Sequence, residues 1–130
     1  MTLIIVSDYD PGGLELADDA IRSLQDKHGV PVDGHRIAVT REQIEELELA
    51  DDFNPAKESD TRFNSFVKRT GDTKSWEVEA LPPDYLVEQI KAAIEANMDM
   101  ELYGKICEQE ETDCEELCRI REQIAEQLDF

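Results

Sequence analysis

Four consecutive apolar residues, Leu3-Ile4-Ile5-Val6, end at Ser7-Asp8-Tyr9-Asp10-Pro11-Gly12-Gly13. An apolar run of this length closed by turn residues predicts a strand buried on both faces, hence a central parallel strand. From Leu14 the spacing changes. Leu14, Ala17, Ala20, Ile21 and Leu24 recur with helical period, and Gly29 follows Lys27 and His28 as a stop signal. His35 to Val39 reads as a second strand, and Thr40 with Gln43 three positions later predicts a capping box for a short helix carrying Ile44 and Leu47. Glu48 to Ser59, with Asp51, Asp52, Asn54 and Pro55, has no period and reads as a loop.

Helical spacing returns over Asp60 to Arg69 through Phe63, Phe66 and Val67, with Gly71 as its end. Trp76, Val78 and Ala80 then alternate with polar residues as a strand does, until Pro82 and Pro83. Asp84 is placed to cap a helix whose apolar face is Leu86, Val87, Ile90, Ala93, Ile94 and Met98. Thr112 and Glu115 form a second capping box, opening a last helix with Leu117, Ile120, Ile124 and Leu128 on its stripe. Strands separated by helices predict an α/β domain over residues 1–98: a small, mostly parallel sheet flanked by helices, with residues 99–130 as an acidic helical extension. In such sheets ligands collect at the carboxyl ends of strands, which puts Asp8 and Asp10 at the expected site.

Composition narrows the function. The 130 residues include 32 acidic and 13 basic ones, a formal net charge of −19, so the overall field repels nucleic acid and anionic membranes, and any nucleic-acid contact has to be local or bridged by metal. The longest apolar run falls far short of a membrane span, and no cleavable leader is evident, so a cytoplasmic protein is expected. Cys107, Cys114 and Cys118 are an odd number crowded into one polar stretch, which fits a reducing compartment rather than a disulfide framework. Without a Cys-x-x-Cys pair or finger-like spacing to His28 or His35, they do not make a zinc site.

Two carboxylates one residue apart, after a buried strand and before a helix, suit Mg²⁺, which takes one or two carboxylates and completes its octahedron with water and phosphate oxygens. Pro11 stiffens the turn, Gly12 and Gly13 allow close approach, and helix N–H groups beyond them can receive a phosphate. The competing reading makes Asp10 a helix cap and Asp8 a solvated loop residue. Lys57, Glu58, Asp60 and Arg62 form a second constellation: Arg62 as a planar fork and Lys57 as a point charge can orient a phosphate, or both can neutralise Asp8, Asp10 or Asp60. Asp60 is alternatively a helix cap. Tyr9 points opposite to the two aspartates and is expected to pack, not to act as a nucleophile. Trp76 is expected in the core, although Lys68, Arg69, Lys74 and Trp76 together also suggest a single-strand stacking surface.

The run Leu3 to Gly13 resembles the acidic motif of Toprim domains, in the Asp-x-Asp-Pro-x-Gly form of topoisomerase VI A subunits and of stand-alone phage or plasmid Toprim-like proteins. Arg36-Ile37-Ala38-Val39-Thr40 with Glu42-Gln43-Ile44, then Asn54 to Arg62, then Trp76-Glu77-Val78-Glu79-Ala80-Leu81 follow in an order similar to that group, over residues 3 to 98. The resemblance implies a Mg²⁺-dependent domain, with Mn²⁺ as a substitute, for topoisomerase-, nuclease- or primase-type phosphodiester chemistry on nucleic acid. Asp8 and Asp10 would be catalytic and metal-holding, Asp60 a further metal ligand, and Gly12, Gly13, Lys57 and Arg62 the phosphate contacts. The family pattern also has a glutamate on an earlier strand. The sequence here starts at the Asp-x-Asp strand, so the chain is expected to be incomplete as a catalyst. Alternatives are a non-catalytic Toprim-like module whose acidic C-terminal helix engages a protein partner, and, third, a haloacid-dehalogenase-like phosphatase with Asp8 as nucleophile and Asp10 as general acid.

Overall fold

The computed structural model describes residues 1–128. Contacts divide the chain into two compact units, one up to Ile94 and one from Glu95 onward.

The first unit is mixed α/β. Strand β1 (Thr2–Val6) leads through Asp8-Tyr9-Asp10 into helix α1 (Pro11–His28), and β2 (Asp33–Ala38) returns parallel to β1. Asp10 caps α1 with its side chain on the Gly13 amide, and Pro11 fits the first helical turn, where its missing N–H is not needed. Gly29, at φ 62°, closes α1 in the left-handed conformation as its position forecast. Helix α2 (Arg41–Glu46) opens with the full Thr40–Gln43 capping box. Two-residue strands β3 (Asn54–Pro55) and β4 (Lys74–Ser75) pair antiparallel on either side of helix α3 (Phe63–Thr70). A 3₁₀ turn, Val78–Ala80, precedes helix α4 (Pro83–Ala96).

Several expectations change. Among the described residues the parallel sheet has two strands, β1 and β2, and the second sheet is antiparallel. Leu3 to Val6 are half-buried, not sealed on both faces, because β1 has a neighbour on one side only. The alternation at Trp76, Val78 and Ala80 is not a strand: Trp76 makes a single antiparallel bridge to Tyr9 and the chain then coils into the 3₁₀ turn. Part of the expected loop, Asn54–Pro55, is a short strand. Helix α3 starts at Phe63, since Asp60 accepts the Arg62 amide two residues on and so forms a turn before the helix rather than its cap. Asp84 lies within the first turn of α4, where its charge suits the helix dipole.

The core gathers at the carboxyl end of β1. Tyr9, Leu14, Ala38, Val39, Ile44, Ala56, Phe66, Trp76 and Leu81 form one buried cluster. Tyr9 sits edge-on to both Phe66 and Trp76, with ring centroids 5.6 and 5.7 Å apart, the arrangement the aromatic quadrupole favours.

In the second unit, helix α5 runs unbroken over Met100–Gln127, capped by Asp99 on the Leu102 amide. The Thr112–Glu115 box therefore caps nothing. Thr112 is mid-helix, its hydroxyl donating to the Glu108 carbonyl, because Glu101 to Glu111 contains only helix-compatible residues apart from Gly104. Asp129 and Phe130, the end of the expected extension, lie outside the described residues. Among the described residues no helix is long and apolar enough to cross a membrane.

Phe66 is 2% exposed and edge-packed on Tyr9. Phe66→Ala is expected to cost about 3–5 kcal/mol, read as a lower urea midpoint with an unchanged slope.

Candidate metal and phosphate site

The turn after β1 is fixed from three directions. Tyr9 and Trp76 exchange backbone hydrogen bonds of 2.8 and 3.0 Å. Two residues further along that segment, the Val78 amide donates to Asp8 Oδ1 at 2.8 Å. From the other strand, Arg36 spreads its guanidinium across the junction: Nε donates to Ser7 Oγ, Nη1 to the Val39 carbonyl, and Nη2 to the carbonyls of Ser7 and Asp8, all at 2.6 to 2.9 Å. Ser7 Oγ in turn donates to the Gly13 carbonyl at 2.9 Å. Burial, and next the nearby charge of Arg69, draw the Arg36 pKa below the usual guanidinium value, against the pull of Tyr9, Asp10 and Asp8.

Asp8 and Asp10 thereby each commit one oxygen to an amide, Asp8 to Val78 and Asp10 to Gly13 at 2.5 Å. Their Oδ2 atoms have no hydrogen-bond partner among the described residues, and no cationic nitrogen reaches either carboxylate as an ion pair. Both acids line an open cleft with Gly12, Gly13, Arg62 and Val78. Asp10, Gly12 and Arg62 are shared with a second cleft that adds Lys57 and Asp60.

The two glycines differ. A Cβ on Gly13 would overlap the Asp8 carbonyl oxygen, whereas one on Gly12 would meet Arg62 Nη2 at 3.4 Å, an ordinary contact. Only Gly13 is demanded by close approach.

Asp60 lines the second cleft with Asp10, but its carboxylate is already engaged. Arg62 takes both of its oxygens, Nε to Oδ1 at 2.8 Å and Nη2 to Oδ2 at 2.9 Å, and its own amide also donates to Oδ1. These bonds hold the Asp60 pKa down to about 2 and raise that of Arg62. Among the described residues no three of His, Cys, Asp or Glu form a group able to hold a metal. Lys57 is exposed on the second cleft, and Asp51 and Asp52 are exposed.

Tyr9 is a packing residue with a polar tip. Its hydroxyl donates to Asp72 at 2.9 Å, and burial, then that bond, raise its pKa, which disfavours the phenolate a nucleophile needs. Trp76 is buried and its indole N–H donates to the Leu49 carbonyl. It offers no stacking surface, and Lys74 lies instead over the Phe53 ring. The three cysteines are free and exposed, His35 pairs with Asp33, and His28 lies in the last turn of α1.

In the sequence Arg36 stands within a strand-like motif and carries no separate functional signature. Its signal is a fixed charge inside a segment that otherwise reads as a strand, since a partly buried guanidinium requires acceptors for its donors. Compared with protein-family models, curated proteins and solved structures, the chain matches none.

Two outcomes test this geometry. Gly13→Ala should destabilise by about 3 kcal/mol through the forced overlap, while Gly12→Ala stays within about 1 kcal/mol of wild type in thermal melts. Asp60, its pKa depressed in the folded chain, adds stability that is present above the unfolded carboxylate pKa and lost as pH falls from about 4 through about 2. Carboxyl-detected NMR should give Asp60 a midpoint near 2, and Arg62→Gln should return it toward about 4.

Proposed function

We propose that the Asp8–Gly13 turn is the divalent-cation site of a Toprim-like domain belonging to a nucleic-acid-processing protein, contributing to phosphodiester chemistry together with a carboxylate from another strand. The observation that carries this reading is the pair Asp8 and Asp10: each is held by one amide through Oδ1 and, among the described residues, keeps Oδ2 without a hydrogen-bond partner, on one open cleft. A two-carboxylate donor set suits Mg²⁺ or Mn²⁺, hard cations that retain several waters and take their remaining oxygens from substrate phosphate. When bound, the cation supplies Lewis-acid polarisation of a phosphate oxygen.

The chain's own residues do the holding. The amides of Val78 and Gly13 and the Arg36 clamp fix where the carboxylates stand. Arg62, already oriented by Asp60, presents its fork above Gly12 at the boundary of both clefts, and the exposed Lys57 adds a positive charge to the second cleft. With Asp60 engaged by Arg62, the metal ligands in this reading are Asp8 and Asp10, and Asp60 acts as the residue that positions Arg62.

A second reading concerns helix α5. Leu117, Ile120, Ile124 and Leu128 are exposed on a helix otherwise rich in glutamate, which favours a protein-docking role for the acidic extension.

Calorimetric titration with MgCl₂ and MnCl₂ tests the first reading. Asp8→Asn and Asp10→Asn should each weaken binding at least about tenfold, as loss of a hard oxygen ligand requires, while Lys57→Gln leaves it unchanged. Equal heats for wild type and both aspartate variants would overturn the assignment.

A further inference from the structure

The chain has seven arginines against its net charge of −19, and three of them meet at one cavity. Arg36 from β2, Arg41 from the start of α2 and Arg69 from the end of α3 line a cavity of about 460 Å³, together with the hydroxyl-bearing Thr40, Thr70 and Tyr9. Glu42 is the only acid in its lining. The residues come from elements far apart in sequence, so local charge patterning does not assemble them. Folding does.

Each guanidinium has a different share of its donors in use. Arg36 is filled by the carbonyls and hydroxyl at the strand ends. Arg41 uses Nη2 for the Thr70 carbonyl and Asp72 and also interacts with the Tyr9 hydroxyl, which leaves part of its fork for a ligand. Arg69 uses Nη1 for Asp18 at 2.6 Å, leaving Nε and Nη2 without a hydrogen-bond partner among the described residues. Asp72 and Asp18 thus orient Arg41 and Arg69 without saturating them, and about half of each side chain remains exposed. A phosphate placed between them can accept from the donors that remain on both planar forks.

We infer that the cavity bounded by Arg36, Arg41 and Arg69 binds a phosphate group, with Arg41 and Arg69 as its direct donors and Arg36 as the fixed charge behind them. It is separate from the Asp8–Asp10 cleft, and it rests on the nucleic-acid reading only for the expected source of the phosphate, the backbone of a bound strand. Glu42, Asp18 and Asp72 balance the three guanidiniums in charge, so the phosphate is held by paired N–H donors converging on one cleft and not by a net positive field.

The test uses the full chain in EDTA, so that metal binding plays no part, with Arg22→Gln as the control. A fluorescein-labelled single-stranded oligonucleotide is titrated by anisotropy across a salt series, and inorganic phosphate is titrated separately while the arginine Nε–Hε NMR signals are followed. Arg41→Gln and Arg69→Gln should each weaken oligonucleotide binding about fivefold or more and lower the salt slope by about 0.7, while Arg22→Gln, on the exposed face of α1, matches wild type. Arg69→Gln removes only a surface ion pair, so its melting temperature should stay close to wild type and separate binding from folding. Arg41 and Arg69 signals that shift with inorganic phosphate but not with oligonucleotide would keep the phosphate site and assign it to a free phosphate. Absence of a shift with both ligands, or affinities unaltered in both arginine variants, overturns it.

Discussion

The guanidinium of Arg36 is the contact on which the arrangement of this domain turns. A strand that stops short leaves carbonyl groups facing inward with no ladder to join, and unpaired buried carbonyls are costly. Here the carbonyls of Asp8 and Val39 end on one side chain, which adds a second bond to the Ser7 carbonyl, already paired with the Val39 amide, and holds Ser7 Oγ against Gly13. One planar group with five donors can satisfy several acceptors at fixed angles, and a lysine in its place cannot. The ends of β1 and β2 and the first turn of α1 are consequently held together by a residue that faces none of the reacting groups proposed for the site.

The core supports the same point. A two-stranded sheet buries too little to anchor a domain by itself, and the sealed apolar cluster lies beyond the strands, around Tyr9, Phe66 and Trp76. Tyr9 stands between Asp8 and Asp10, so the alternation that turns its ring inward turns the carboxylates outward. The Tyr9–Trp76 backbone pair and the Val78 amide then fasten the turn from its far side. Packing and site geometry are the same constraint, because the segment that completes the core also hands Asp8 its amide.

Three of the arginines are held in place by a carboxylate. Asp60 holds Arg62, Asp72 holds Arg41 and Asp18 holds Arg69. In each pair the carboxylate fixes a fork that faces a cleft. These exposed pairs add little to stability, and their use is positional: they keep a few positive groups in place on a molecule whose overall field repels anions.

Much of the local structure was legible in the residues. The Thr40–Gln43 box, the Gly29 stop, the acidic turn after an apolar strand, and the burial of Tyr9 and Trp76 are all short-range consequences of side-chain chemistry, and each is as expected. The candidate pair Asp8 and Asp10 was legible for the same reason, since adjacent residues share a turn whatever the rest of the chain does. Alternation misled at Trp76 to Ala80, where the period arose from one buried aromatic followed by a 3₁₀ turn, and the Thr112–Glu115 pattern had no force inside a helix already nucleated at Asp99. The number of strands beside β1, the capture of Asp60 by Arg62 and the meeting of Arg36, Arg41 and Arg69 were decided only in three dimensions. Those are contacts between distant or freely rotating side chains, and no periodicity along a chain encodes which of several available carboxylates or carbonyls a guanidinium will find.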